Sequence, residues 1–237
     1  MSPLIEAELM RLRTVRTPIF ALLTVLAVVA INAGDHPANH QDVTALLEVL
    51  LGTGVLSAVA FGAYSVGDRF QRGEVAISYV AHPRRERVAA AQVITYAAAG
   101  VVFAVLSAAV GLAIVLRIAA ADHVETGLSA ADVAAILARV AVIGAVFGAL
   151  GALVGTLARH PTLAIFATGG WELIETVISR AGTTGGVIGP YLPFQLAGSA
   201  AGLGGHVLGI AAVAILVGYL AALGLVVRLW GLARDVT

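Results

Sequence analysis

Of 237 residues, 59% are hydrophobic and 12% are charged, and the mean hydropathy is +0.97. A soluble domain of this length has too little polar surface to cover so much apolar side chain, so the composition points to an integral membrane protein. The 14 basic and 14 acidic residues cancel, which leaves no electrostatic case for nucleic-acid binding, and the absence of cysteine removes disulfides, thiolate chemistry and zinc–sulfur sites.

In chain order, Ser2–Thr17 sets Leu4, Ile5, Leu9 and Leu12 among Glu6, Arg13 and Arg16. That pattern suits a helix lying in the cytoplasmic interface (residues 1–17), with an ordinary polar N-terminus as the alternative. Apolar runs follow at Pro18–Gly34, Val43–Val66, Val88–Ile118, Val133–Leu157, Thr162–Ile178 and His206–Val227. A helix crosses the hydrocarbon core in about 17–25 residues. The expectation is an all-α polytopic bundle of about six transmembrane helices, forming one transmembrane domain over residues 1–237. The third run is long enough to begin in cytoplasmic water, and the fifth is marginal. The first 34 residues also admit a signal-peptide reading, against which the five further spans weigh.

Every basic residue is arginine. Arg11, Arg13 and Arg16 precede the first run, and Arg69, Arg72, Arg84, Arg85 and Arg87 lie between the second and third. Arg159 separates the fourth from the fifth, and Arg228 and Arg234 follow the sixth. Only Arg117 and Arg180 fall in the opposite loops. Arginine excess marks the cytoplasmic side, so both termini are expected there. The segment Ser179–Gly205 is broken by Gly and Pro yet too apolar for a free loop, which predicts an irregular or re-entrant outer cap (residues 179–205) before the last helix.

Four charges fall inside runs: Glu48, Arg139, Glu172 and Glu175. A charge at mid-bilayer costs about 2.5–3.5 kcal/mol on insertion scales, so such groups face protein or water. Glu172 and Glu175 share a helix face, and Arg139 falls at a compatible depth. This predicts a pairing of Arg139 with one of them, either as a structural ion pair or as a polar patch in a substrate path. Glu48 lies near a span end and can snorkel. Gly144, Gly148, Gly151 and Gly155 form one smooth stripe, suited either to packing within the chain or to a chain–chain contact.

The loop between the second and third runs (residues 67–87) reads G-D-R-F-Q-R-G-E-V-A-I-S-Y-V-A-H-P-R-R-E-R. Ile77 and Val80 recur at helical spacing with Tyr79 beside them. A short amphipathic helix there serves either to dock a partner's groove or to anchor the cytoplasmic face. The run G-E-V-A-I-S-Y-V-A-H-P-R-R-E-R-V-A-A-A-Q resembles the signature of type-2 ABC transporter permeases, matching at Gly73, Tyr79, Ala81, Pro83, Arg84, Arg85 and Arg87. Arg69 stands where that family has Glu, Glu74 and His82 each replace Thr, and Gln92 replaces the closing Lys. The C-terminal W-G-L-A-R-D-V-T is similar to the family's ending at Arg234 and Asp235. The G-P-Y-L-P-F segment, with Pro190, Leu192 and Pro193, is similar to its outer-cap element.

The resemblance implies a six-helix half-transporter in a bacterial plasma membrane that pairs with a second permease chain, identical or paralogous. It implies export of an unidentified substrate, such as a hydrophobic drug or lipid, by alternating access. The coupling segment (Gly73, Glu74, Tyr79, Val80, Pro83, Arg84 and Arg85) would bind a separate ATPase subunit carrying the ATP and Mg; no cofactor is expected in this chain. A Walker A motif needs a lysine, and this chain has none. Two other classes remain: a non-transporting membrane scaffold, and an intramembrane enzyme. Glu172 and Glu175 with His160 and His206 lack the His-Glu-x-x-His helix of a metalloprotease, and Ser199 has no His or Asp nearby in sequence to form a triad.

Overall fold

The computed structural model describes residues 5, 6, 10, 40–81, 84–121, 129–202 and 207–231, with side chains in the first helix from Gly52 onward. The first apolar run, Pro83 and the side chain of Glu48 lie outside the described residues, as does all of the N-terminal interfacial segment except Ile5, Glu6 and Met10.

All regular structure among the described residues is helical. The elements are α1 (His40–Gln71), α2 (Glu74–Ala81), α3 (Arg85–Ala121), α4 (Ala130–Ala158), α5 (Pro161–Ser179), α6 (Gly182–Ile188), a 3₁₀ turn (Gly189–Tyr191), α7 (Pro193–Ala201) and α8 (Gly209–Val226). The last continues into a π-helical turn, Val227–Gly231. Three stretches are long and apolar enough to cross a membrane: Arg85–Arg117, Ala130–Ala158 and Gly209–Gly231. Helix α5 is less apolar because Glu172 and Glu175 fall within its 19 residues.

Local chemistry sets the boundaries. Ser129 opens α4 with a reciprocal capping box, its side chain accepting from the Asp132 N–H while Asp132 accepts from the Ser129 N–H. Arg159 closes α4 in the left-handed region at φ 54°, its N–H donating to the Gly155 carbonyl. Pro161 then starts α5 at a position where a missing N–H costs nothing. Gly73, at φ 71°, separates α1 from α2, a backbone turn that favours glycine.

The cap segment is more regular than its Gly/Pro content suggested. Pro190 falls in the 3₁₀ turn, Pro193 at the start of α7, and Gly202 at the αL C-cap of α7. The prolines and Gly202 punctuate short helices at their ends, while Gly185, Gly186 and Gly198 are carried inside α6 and α7.

Helices α1, α3 and α4 form the core, and their backbones nearly touch. A Cβ at Gly148 would strike the Tyr96 carbonyl of α3, one at Gly100 the Gly144 carbonyl, and one at Gly151 the Val59 carbonyl of α1. The predicted glycine stripe therefore packs within the chain on two neighbours. Gly144 and Gly148 meet α3, whereas Gly151 and Gly155 meet α1, because the spacing of four, three and four winds slowly around the helix. Phe61 fills the space beside this seam, edge-on to Tyr96 with centroids 5.9 Å apart and tilted against Phe103 at 4.8 Å.

Candidate functional site

One end of the bundle gathers the charged loops. Arg159, in the short turn between α4 and α5, donates from Nη2 to the Gly231 carbonyl at 2.7 Å. Its guanidinium lies 5.5 Å from the centroid of the Phe70 ring at the end of α1. The same end carries the ion pair of Arg228 Nε with Glu86 Oε1 at 3.0 Å, joining the end of α8 to the start of α3. Arg72 pairs with Asp68 and approaches Glu74 at 3.8 Å, and Arg69, 4% exposed, lies at the same distance from Glu74. The loops that share the arginine excess are thus neighbours in space. Arg159 is their hub, a role its isolated position in sequence did not signal.

Helix α2 sits on this end. Val75 is buried against the bundle, while Ile77 and Val80 are 71% and 85% exposed. Tyr79 is turned inward, packed against the core and 5.4 Å from the Arg85 guanidinium. Burial raises its hydroxyl pKa above the ordinary value, against the pull of Arg159, Arg85 and Arg69, so the phenol is neutral at physiological pH. This corrects the expectation that Tyr79 presents itself for docking. Its neighbours Ile77 and Val80 are the exposed apolar residues of α2, while Tyr79 and Arg85 hold the other side of the helix against the bundle. Gly73 is the positive-φ turn between α1 and α2, Glu74 the ion-pairing first residue of α2, and Arg84 an exposed residue beyond its end.

The charges that fall inside the apolar runs are not arranged as the sequence suggested. Glu175, 1% exposed, accepts the Phe194 N–H at 2.8 Å through Oε2 and the Trp171 indole N–H through Oε1. Helix α7 has no cap of its own, since Leu192 precedes Pro193, and Glu175 satisfies its first turn from α5. Arg139 instead donates from Nη1 to the Ala201 carbonyl at 3.4 Å, at the other end of α7. Among the described residues no ion pair joins Arg139 to Glu172 or Glu175. A helix terminus satisfies a buried carboxylate as well as a cation does, and composition cannot distinguish the two. Glu172 is partly buried one turn before Thr176, whose hydroxyl donates to the Glu172 carbonyl.

Beside Trp171 and Phe194 lies an apolar cavity of about 350 Å³, bounded by Val59, Phe147, Leu150, Thr168, Tyr219 and Leu223. Pro193 lines it as well, while Pro190 belongs to a separate small cleft near Ser179. Tyr219 donates to the Tyr191 carbonyl at 3.3 Å, tying α8 to the 3₁₀ turn. Ser199 lies away from the apolar cavity, its hydroxyl donating to the Gln195 carbonyl at 3.5 Å.

No protein-family model matches the chain, and no curated protein matches it.

Proposed function

We propose that this chain is the membrane-spanning permease subunit of an ABC exporter, with six spans and both termini cytoplasmic in a bacterial plasma membrane. Two such chains, identical or paralogous, form the pathway. A separate ATPase subunit binding ATP and Mg drives alternating access through α2. The observation that carries the reading is the eight-residue helix α2 at the arginine-rich end, set off by Gly73, with Ile77 and Val80 exposed. Two exposed aliphatic side chains on a short helix among charged loops suit a partner's groove. Arg159 and the Arg228–Glu86 pair tie that end to α1, α3 and α8, so a push on α2 has a path into the spans.

Two further features support the reading. The outward face of α5, with Leu163, Phe166, Leu173 and Val177 exposed, suits lipid or a second permease chain. The apolar cavity beside Trp171 suits a hydrophobic drug or lipid as cargo. The test is copurification in mild detergent. The double variant Ile77→Asp with Val80→Asp should insert and fold, since both side chains are exposed, yet lose its ATPase. Retention of the ATPase and of transport by that variant would leave α2 as a membrane-surface anchor.

A further inference from the structure

A second cavity, of about 470 Å³, lies between α4, α7 and α8. Its walls are apolar at Val142, Ile210 and Val213, and it holds one charged side chain, Arg139. Three observations define what it can bind.

The first is depth. Arg139 lies in α4 and Arg159 caps its C-terminal end, about 20 residues and therefore about 30 Å further along the axis. That is about the thickness of the hydrocarbon core. With Arg159 in the charged loops at one interface, Arg139 stands at the level of the phosphates of the opposite leaflet. The second is free bonding capacity. A guanidinium carries five N–H donors, and the described contact of Arg139 is the single 3.4 Å bond to the Ala201 carbonyl. It has no carboxylate partner among the described residues. Gly202, at φ 78°, leaves the space the guanidinium occupies, because a Cβ there would meet Nη1. The third is the start of α8 in the same wall. Leu208 offers no side-chain cap, and the Ala212 N–H is the one that reaches back to the Leu208 carbonyl. The earlier N–H groups, including those of Gly209 and Ile210, have no acceptor within the helix. They add local positive potential to that of Arg139, set against the Ser199 and Ala200 carbonyls that end α7 beside Gly209.

We infer that this cavity holds a phospholipid of that leaflet, its phosphate between Arg139 and the first turn of α8 and an acyl chain along Val142, Ile210 and Val213. The site is independent of the transport reading and separate from the apolar cavity beside Trp171. A lipid phosphate would supply Arg139 with a counter-charge that none of the described carboxylates provides.

The test uses the full chain in mild detergent with one fluorophore on Val217→Cys, two turns along α8 from Ile210. The native chain has no cysteine, so labelling is unique. Brominated-chain phosphatidylglycerol is titrated and quenching followed. Arg139→Gln should weaken half-quenching about fivefold, the order expected for one cation near an anionic surface, while Arg139→Lys keeps most of the effect. Ile210→Asp leaves Arg139 in place, and its carboxylate should occupy the phosphate position and cause a similar loss. Because Ile210 is 89% exposed, that variant should fold even where Arg139→Gln does not. Unchanged quenching in folded Arg139→Gln, or in Ile210→Asp, overturns the site. Inorganic phosphate in excess should not displace the lipid beyond chloride at equal ionic strength; displacement would make the ligand a soluble anion and overturn the lipid assignment.

Discussion

The Glu175 carboxylate on α5 accepts the Phe194 backbone N–H at 2.8 Å, so a side chain 19 residues upstream caps the first turn of α7. Together with the Trp171 indole, this gives a buried carboxylate its partners without a counter-charge. Glu175→Leu strands those donors and should cost about 2–3 kcal/mol. Glu175→Gln, which keeps one acceptor oxygen, should cost less. Both are read from thermal unfolding in detergent.

Arg139 and Glu175 hold opposite ends of α7 through separate partners. Arg139→Leu and Glu175→Leu should therefore add within about 0.5 kcal/mol in the double variant. Recovery of stability in the double variant relative to either single one would restore the ion pair that the sequence suggested.

Arg159→Ala removes a charged bond to the Gly231 carbonyl and the contact with Phe70. The expected loss is about 1.5–3 kcal/mol. It should come with faster proteolysis near Gly231, where the end of α8 loses its tie to the α4–α5 turn. Equal proteolysis rates in variant and native chain would remove Arg159 from its place as hub.

How much of this was legible in sequence depended on what each residue meets. Long apolar runs mark α3, α4 and α8, because a helix able to cross a membrane is specified by composition over many residues. Arginine placement grouped the loops that do come together at Arg159, Arg228 and Glu86. The sequence places Tyr79 beside Ile77 and Val80 and does not say which way the ring turns; the position of Arg85 and of the core behind it shows that it turns in. The partner of Glu175 was invisible for another reason. A backbone N–H at a helix start carries no residue-type signature, whereas an arginine does.

Glycine substitutions separate close packing from helix propensity. Gly148→Ala places a methyl group against the Tyr96 carbonyl and should cost about 1–3 kcal/mol through helix displacement. Gly169→Ala meets nothing within 4 Å and should be neutral or stabilise by up to about 1 kcal/mol. Equal effects of the two on the unfolding midpoint would contradict the backbone contact of α3 with α4.

Sidedness is checked with one cysteine. Val80→Cys is exposed on α2 and should react with a membrane-impermeant maleimide only after the cells are permeabilised. Reaction in intact cells would invert the bundle.

The glycine seam also governs how this sequence can diverge. At Gly62, Gly100, Gly148 and Gly151 the obstacle to a larger residue is a main-chain atom. A second mutation can shrink a side chain but not a carbonyl group, so a larger residue at these positions has to displace a helix. The exposed apolar residues of α5, such as Phe166 and Val177, are under no such restraint and can drift among apolar types. Homologues can thus lose overall similarity while keeping small residues spaced four, three and four along α4, opposite Gly62 and Gly100. That pattern, rather than percentage identity, is the trait by which distant descendants of this chain can be recognised.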